Sequence, residues 1–302
     1  MINGIINVYK EAGYTSFDVV ARLRGILRIK KIGHTGTLDP DAVGVLPVCV
    51  GNATKICDVL TDTDKQYKCT MLLGVKTDTF DTSGRTINEA DVSVSKEDII
   101  NAVNSFVGDI KQIPPMYSAI KVNGKKLYEY ARSGQSVELK ERAVSIYNIN
   151  IEDISIPYVT FTVDCSKGTY IRSLCNDIGE KLGCFGTMAS LTRTKVGKFT
   201  IDESIKLDDI EEMMKSNTLL DKFLPVDKYF DSYKSIIVNE ITGDKKAING
   251  SLIEKEDLSE DYILNNGELV KVYTSDLRFV GLFVTKNNRL KVTKMFLQNG
   301  NN

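Results

Sequence analysis

The chain has 302 residues, of which 42% are hydrophobic and 26% are charged, and its formal net charge is −1 at pH 7. This composition is typical of a globular protein with a sizeable core, and it excludes a disordered or collagen-like chain. No apolar run approaches the roughly 20 residues of a membrane-spanning helix, and the start MINGIINVYK lacks the features of a signal peptide. We therefore expect a cytoplasmic protein with no membrane partner.

The first fifty residues predict a strand, a helix and a glycine-rich loop. INVYK reads as a short strand, and Thr15 or Ser16 is a suitable N-cap for the helix that follows. The predicted inward face of that helix carries Phe17, Val20, Ile26 and Leu27. The next segment, GHTGTLDPDAVGVLPV, is loop-like until it becomes apolar at VLPVCVG.

The middle of the chain alternates predicted strands and helices. Strands are predicted in QYKCTMLLGV, VSIYNINIEDI and YVTFTVDCSKG, and turns in FDTSGR and at Asn123-Gly124. The patterns predict a helix in residues 96–110 that stops at Gly108, a short helix just after the Asn123-Gly124 turn, and a helix over residues 170–183 that ends at Gly183.

The composition changes after residue 200. Residues 202–217 are acidic and predict a helix, and from about residue 235 short β-patterned runs alternate with Asn/Gly turns. These runs indicate a small β-barrel appended to the main domain. We place the domains at residues 1–230 and 231–302.

Cysteine and histidine usage argues against a metal site. The six cysteines form no C-x-x-C pair, and His34 is the only histidine. The cysteines fall mostly in apolar stretches, so we interpret them as small buried residues rather than ligands or disulfides. No P-loop, dinucleotide fingerprint or nucleophile elbow is present, and we expect no cofactor.

This elimination leaves chemistry based on one positioned carboxylate, for which Asp39 is the candidate. Pro40 biases Asp39 toward extended geometry, and the neighbouring glycines allow tight turns, so the loop can aim one carboxylate at a ligand. A simple Asp-Pro turn with a capping side chain is the alternative interpretation.

A second candidate stretch, SKGTYIRSL, joins a predicted strand to a helix. Lys167 and the Gly168 amide lie near a helix N-terminus, which suits an anion. Arg172 adjoins the core-facing Ile171 and should need a carboxylate partner. Asp39 and the local Asp177 are both candidates for that partner.

Three stretches are locally basic and contain no acidic residue. They are ARLRGILRIKK (21–31), KVNGKK (121–126) and TRTKVGK (192–198). Such stretches can follow a phosphate backbone, or they can be ordinary solvated surface.

Several motifs together resemble the TruB family of pseudouridine synthases. GHTGTLDPDAVGVLPVCVGNATKI is similar to the catalytic motif of that family, KGTYIRSL to its arginine motif and INVYKEAGYTSFDVV to its N-terminal lysine motif. The likeness extends over residues 3–228. It implies an α+β fold with a mixed, mostly antiparallel sheet flanked by helices, and the terminal β-module resembles a PUA-type RNA-binding domain.

The resemblance implies isomerisation of uridine 55 in the T-arm of tRNA by a monomer, without cofactor or metal. Asp39 would be the catalytic aspartate, acting on the sugar, on the base or on the 2′-hydrogen. Tyr67 would stack on the flipped base, and Arg172 would pair with Asp39. Four further site residues are implied. His34 would displace the uridine, and Tyr170 and Leu191 would line the pocket. Lys10 would support the loop or contact RNA.

Two alternatives remain at this point. One is a guide-RNA-dependent relative that modifies ribosomal RNA, although such proteins usually carry basic tails that are not visible here. The other is an RNA-binding or tRNA-folding protein in which catalysis is dispensable.

Overall fold

The computed structural model describes residues 2–118, 120–122, 124–135 and 137–297. Asn123, the first residue of the expected Asn123-Gly124 turn, lies outside the described residues. Strands and helices both occur throughout, as expected for an α+β protein. No helix in the described ranges is long and apolar enough to cross a membrane.

The helices of the described chain are short, and the longest have 12 residues. They are α1 (Ser16–Leu27), α2 (Cys57–Thr61), α3 (Lys96–Asn104), α4 (Leu127–Arg132), α5 (Ile171–Leu182), α6 (Leu207–Lys215), α7 (Val226–Tyr229) and α8 (Gly243–Ile248). The strands are β1 (Gly4–Lys10), β2 (Ile32–His34), β3 (Val43–Val50), β4 (Lys65–Leu73), β5 (Val75–Thr77), β6 (Thr86–Glu89), β7 (Gly108–Gln112), β8 (Lys121–Val122), β9 (Lys125–Lys126), β10 (Arg142–Ser155), β11 (Tyr158–Cys165), β12 (Gly186–Val196), β13 (Phe199–Thr200), β14 (Lys234–Ile237), β15 (Leu269–Tyr273), β16 (Phe279–Lys286) and β17 (Arg289–Met295).

One large sheet organises the first 200 residues. Its strand order is β1-β3-β12-β4-β11-β10-β7, with β2 paired to β3 and β13 paired to β12. The pairing is antiparallel except between β3 and β12, where Val43 and Gly44 lie parallel to Thr192 and Arg193. This agrees with the expected mixed, mostly antiparallel sheet. It places β3, β12 and β4 side by side at the centre.

Helices α1, α5 and α6 pack against the sheet. The strong amphipathic pattern of α5 buries Leu174 and Ile178 against Met71 and Phe161. In a second apolar core, Leu23 of α1 packs with residues of β1 and α6. These apolar contacts are the main source of the burial that stabilises the domain. The predicted end of α5 is also correct, because Gly183 caps it with φ 72°.

The predicted inward face of α1 is wrong at Phe17. Thr15 caps the helix as expected, with Asp18 completing the capping box. The buried positions are Ser16, Val19, Val20, Leu23 and Leu27, and Ile26 is half-buried. Phe17 lies beside this buried face of the helix rather than on it. Its side chain is 65% exposed, and the Arg24 guanidinium lies over its ring.

The predicted helix over residues 96–110 ends too late. Helix α3 stops at Asn104, and Gly108–Gln112 forms the edge strand β7, which pairs with β10. Gly108 has φ 117°, which breaks the helical pattern. The acidic helix is likewise shorter than predicted, since α6 spans Leu207–Lys215.

The C-terminal strands form a separate four-stranded sheet in the order β14-β15-β16-β17. It has its own apolar core, and Leu282 and Phe296 also pack with Val196, Phe199 and Phe230 of the preceding chain. Among the described residues no pairing joins β14 to β17, so the expected closed barrel is not observed.

All six cysteines are free, five of them buried and Cys57 half-buried. This confirms their interpretation as small buried residues rather than disulfide partners.

Candidate active site

The Asp39 loop connects β2 to β3 and is held at both ends. The two strands pair with each other, His34 opposite Val48, so the loop folds back over the sheet. At the other end Gly44 has φ 107°, and a Cβ there would lie 2.3 Å from the Arg193 carbonyl oxygen. Only glycine therefore allows β3 to approach β12 where the loop rejoins the sheet.

Further hydrogen bonds hold the middle of the loop. The Leu38 amide donates to Ser16 Oγ at 2.9 Å, which ties the loop to the start of α1. The Ala42 amide donates to the Asp39 carbonyl at 3.1 Å, and the Gly13 amide donates to the Pro40 carbonyl at 3.0 Å. The Asp-Pro turn is therefore present, and its carboxylate points away from these contacts toward Arg172.

Lys10 lies beneath this loop and is completely buried. Its ammonium donates to the carbonyl oxygens of Ala42 (2.6 Å), Pro40 (2.9 Å) and Glu11 (3.1 Å). Burial lowers the pKa of Lys10 to about 8, against the opposing attraction of Asp39. In the structure Lys10 therefore supports the loop, and its ammonium is shielded from solvent.

Asp39 contacts Arg172, which reaches it from α5. The Nε atom lies 3.1 Å from Asp39 Oδ2, and a terminal nitrogen donates to Oδ1 at 3.3 Å. The other terminal nitrogen lies 3.4 Å from a carboxylate oxygen of Asp81. The contact expected between Arg172 and Asp39 is therefore present, and the alternative partner Asp177 instead accepts a hydrogen bond from Asn176.

The remaining donors of Arg172 bind backbone. It donates to the carbonyl of Tyr117 at 2.8 Å and to that of Thr79 at 3.2 Å. The side chain is 6% exposed, so four protein groups compensate one buried guanidinium. One arginine thereby joins the Asp39 loop, the turn at residues 79–81 and the segment before β8.

Burial and neighbouring charges act on the pKa of Asp39 in opposing directions. Burial raises it above the usual value, Arg172 lowers it, and the nearby Asp81 carboxylate raises it. The net direction is upward. A carboxylate whose pKa is raised while a cation keeps it oriented is suited to act on a substrate rather than to serve as a simple surface turn.

Tyr67 lies on β4 opposite Arg193 of β12. Burial raises the pKa of Tyr67, which Arg193 opposes, so its phenol is neutral at ordinary pH. Arg193 is itself 1% exposed and donates to the Val45 carbonyl at 2.7 Å.

Two cavities meet at Asp39, and Arg172 and Leu191 line both with it. The first, which we name the tyrosine cavity, has a volume of about 780 Å³ and is also lined by Tyr67, Ser118, Tyr170, Lys65, Arg142 and Lys167. The second, the aspartate cavity, has a volume of about 570 Å³ and is lined by Asp78, Asp81, Ser83, Arg85, Tyr117 and Tyr128. The part of Asp39 that remains exposed faces these two spaces.

The structure brings five of the seven predicted site residues together. Asp39, Tyr67, Tyr170, Arg172 and Leu191 all line the tyrosine cavity. Lys10 lies below the loop, and His34 lies on β2 outside the residues that line either cavity. Burial lowers the pKa of His34, and Arg193 adds to that effect, so its imidazole is held neutral.

The sequence analysis missed Asp81, Ser118 and Arg193. Asp81 was interpreted only as part of the FDTSGR turn, where its Oδ1 accepts hydrogen bonds from Thr79 and Ser83. Arg193 was counted in a basic stretch but is buried under the Asp39 loop. The available signal for a buried Arg193 was its place in the alternating sequence of β12.

Several side chains of the three basic stretches make contacts within the protein. Arg22 pairs with Asp208 and Glu211 of α6, and Arg193 is buried. Lys125 and Lys126 lie over the rings of Tyr130 and Tyr128. The cations that line the tyrosine cavity with Asp39 instead include Lys65, Arg142 and Lys167, which lie outside the three basic stretches. No group of three His, Cys, Asp or Glu side chains in the described ranges is arranged to hold a metal ion.

Two family models match the chain in succession. The model of TruB family pseudouridylate synthases (N-terminal domain) matches residues 24–171, and that of the tRNA pseudouridylate synthase B C-terminal domain matches residues 172–231. The tRNA pseudouridine synthase B of Clostridium kluyveri is 45% identical over 98% of this chain and 100% of its own length. That of Lachnoclostridium phytofermentans is 48% identical with the same coverage.

Solved structures give a similar result at lower identity. A Cbf5-Nop10-Gar1 complex contains a chain that is 28% identical, with a TM-score of 0.72, covering 97% of this chain and 85% of that one. An H/ACA RNP bound to a substrate RNA containing 2′-deoxyuridine contains a chain that is 26% identical, with a TM-score of 0.71 and coverage of 98% and 85%.

Proposed function

The chain belongs to the TruB family of pseudouridine synthases and isomerises uridine to pseudouridine in tRNA, and we propose that its target is uridine 55 in the T-arm, with Asp39 as the catalytic residue. The observation that carries the assignment of Asp39 is its position. It is held by Arg172 at the junction of two cavities, beside Tyr67 and Tyr170.

The reaction needs the target base outside the RNA helix. An extruded base loses stacking worth a few kcal/mol, and aromatic side chains recover part of it. Tyr67 and Tyr170 line the tyrosine cavity and offer such surfaces. Arg142 and Lys167, the latter paired with Asp62, add positive charge for the attached phosphates. We propose that the uridine enters this cavity.

Asp39 then meets the nucleotide while Arg172 orients it and opposes the rise of its pKa. In the overall isomerisation the C1′–N1 bond breaks, the base turns, and a C1′–C5 bond forms. The C5 proton leaves, and N1 gains a proton. We propose that Tyr67, which lines the cavity with Asp39, stacks on the base and assists removal of the C5 proton. Its phenol is protonated, so its oxygen would accept the C5 proton as the hydroxyl proton passes to solvent.

His34 and Leu191 complete the proposed substrate contacts. Leu191 lines both cavities and can pack against the flipped base. His34 is neutral and half-buried, and its Nδ1 has no hydrogen-bond partner among the described residues. We propose that it fills the space that the uridine leaves in the T-loop.

The C-terminal sheet is proposed to be a PUA-like RNA-binding domain spanning residues 231–302, in a monomeric enzyme that contacts the acceptor end of tRNA. The position of this sheet next to the tyrosine cavity supports the proposal. Lys294 pairs with Asp58 at 2.6 Å, and Asp58 belongs to α2 and lines the tyrosine cavity. An RNA on the sheet would therefore continue toward Asp39.

Tritium release from tRNA transcripts labelled with [5-³H]uridine tests this function. We expect release from full-length tRNA, none from a transcript whose T-arm target is cytidine, and lower kcat/KM with an isolated T-arm stem-loop. No release from any transcript would refute the enzymatic assignment. Release from the cytidine transcript would refute the target, and equal kcat/KM for the stem-loop would refute the role of the C-terminal sheet.

Lys10→Met distinguishes loop support from RNA contact. Because the ammonium binds three loop carbonyls and is completely buried, its loss should reduce kcat by about tenfold or more and lower Tm. The slope of log affinity for tRNA against log salt should stay unchanged, since no phosphate contact is lost. A slope reduced by about one would show that Lys10 contacts a phosphate.

A further inference from the structure

One buried hydroxyl in the tyrosine cavity has no hydrogen-bond partner. In the described ranges the buried side-chain atoms without a partner are Asn7 Oδ1, His34 Nδ1 and Ser118 Oγ, and of these residues only Ser118 lines a cavity at Asp39. Ser118 is 6% exposed. Buried polar groups nearly always have a partner, so this hydroxyl is available to a polar group that enters the cavity.

We propose that Ser118 Oγ hydrogen-bonds the edge of the flipped uracil base and contributes to the recognition of that base. This inference rests on the proposed function, because it takes the target nucleotide to enter the tyrosine cavity. Uracil presents two carbonyl acceptors and one N–H donor along one edge. A serine hydroxyl offers one donor and two acceptor positions, so it can serve either kind of group.

The position of Ser118 is tied to that of Asp39. The carbonyl of the preceding residue, Tyr117, accepts a 2.8 Å hydrogen bond from Arg172, whose Nε contacts Asp39. Ser173 of α5 donates to the Ile113 carbonyl at 2.8 Å and anchors the start of the same segment. Arg172 therefore holds the hydroxyl and the carboxylate in one arrangement, as a site that binds base and sugar together requires.

Tyr170 is a second hydroxyl-bearing residue of the tyrosine cavity, and we name Ser118 and Tyr170 together its polar wall. Both residues line the tyrosine cavity, and burial raises the pKa of the Tyr170 phenol, which therefore stays protonated at ordinary pH. A phenol and a serine hydroxyl in one cavity lining can each bind a polar group of the base. The faces of the base would stack on aromatic rings, and its edge would be read by this wall.

Ser118→Ala and Ser118→Thr test the inference. Loss of one hydrogen bond to a neutral base should lower kcat/KM in the tritium-release assay by about 3- to 10-fold in the alanine variant. The threonine variant keeps the hydroxyl and should stay within about twofold of the wild type. Wild-type kcat/KM in the alanine variant would overturn the proposal.

A binding comparison separates recognition of the base from a structural role. T-arm RNA carrying the product base, pseudouridine, retains the same carbonyl and N–H edge, whereas an abasic RNA lacks it. In Ser118→Ala we expect affinity for the pseudouridine RNA to fall by the same 3- to 10-fold and affinity for the abasic RNA to stay unchanged. An equal loss for both RNAs would overturn the proposal.

Ser173→Ala is the matched control, because its hydroxyl anchors the same segment. It should lower Tm and weaken both RNAs alike. If Ser118→Ala behaves in the same way, Ser118 is only structural. Absence of tritium release from the wild type would refute the proposed function, while the binding comparison would still decide whether Ser118 contacts the base.

Discussion

The Asp39→Asn variant is expected to lose at least about a thousandfold of pseudouridine formation while it remains folded. The amide keeps the size of the side chain but cannot supply the negative charge that Arg172 orients toward the tyrosine cavity. Single-turnover tritium release from tRNA measures the loss. Wild-type activity would return Asp39 to the role of an ordinary Asp-Pro turn residue.

Stability should change in the opposite direction from activity. The folded pKa of Asp39 is raised, so the fold favours the protonated carboxyl. That contribution is fully present below the unfolded pKa of about 4 and is lost as pH rises through the folded pKa. Asparagine resembles the protonated form at every pH. We therefore expect Tm at pH 7 to equal or exceed that of the wild type.

The control for this variant is Asp153→Asn, which changes an exposed carboxylate on β10 that lines neither cavity. It should leave tritium release and Tm at wild-type values. A lower Tm in Asp39→Asn together with lost activity would mean that the carboxylate supports the fold. The activity loss would then no longer identify a catalytic residue.

Arg172→Met should impair both stability and catalysis. It leaves Asp39 and Asp81 close together without a cation, and it removes the donors to the Thr79 and Tyr117 carbonyls. We expect the free energy of unfolding to fall by about 3 kcal/mol, the low end for a broken buried pair, because Asp39 remains partly exposed. Denaturant titration measures this change.

The same variant should alter the pH dependence of activity. Arg172 lowers the pKa of Asp39, so its removal raises that pKa further. The ionised fraction at neutral pH then falls, and the acid limb of the kcat/KM profile should move to higher pH. At pH 7 we expect at least about a hundredfold loss. An unshifted acid limb would show that Arg172 does not control the ionisation of Asp39.

Arg278→Met provides the comparison for an exposed ion pair. Arg278 contacts Asp276 at the surface of the C-terminal sheet, with both side chains more than half exposed. Its replacement should change the stability by less than about 1 kcal/mol and leave the pH profile unchanged. A loss as large as that of Arg172→Met would mean that burial is not the cause of the difference.

Local patterns were sufficient for most elements of this protein. The alternation in β4, the capping residue Thr15 and the stop at Gly183 each depend on contacts within a few residues, and all three agree with the structure. The family resemblance likewise came from contiguous motifs, and the GHTGTLDP run is one of them because a loop of this kind needs its glycines and its Asp-Pro pair in one stretch.

Tertiary structure decided what periodicity could not. Phe17 lies next to a buried serine in sequence, but the packing of α1 leaves it exposed. Gly108–Gln112 became a strand because β10 offered a partner. The fates of Lys10 and Arg193 depended on the loop folding above them, since only burial under carbonyl groups turns a surface cation into a support.

The sequence by itself determined the candidates Asp39 and Arg172, and its family resemblance implied Tyr67. The residue pattern left the partner of Arg172 open between Asp39 and Asp177. Only the tertiary structure joined Arg172 to Asp39 and Asp81 and set Ser118 beside them. The physical reason is distance along the chain. Contacts between residues more than 90 positions apart follow from sheet register and helix docking, which no local pattern encodes.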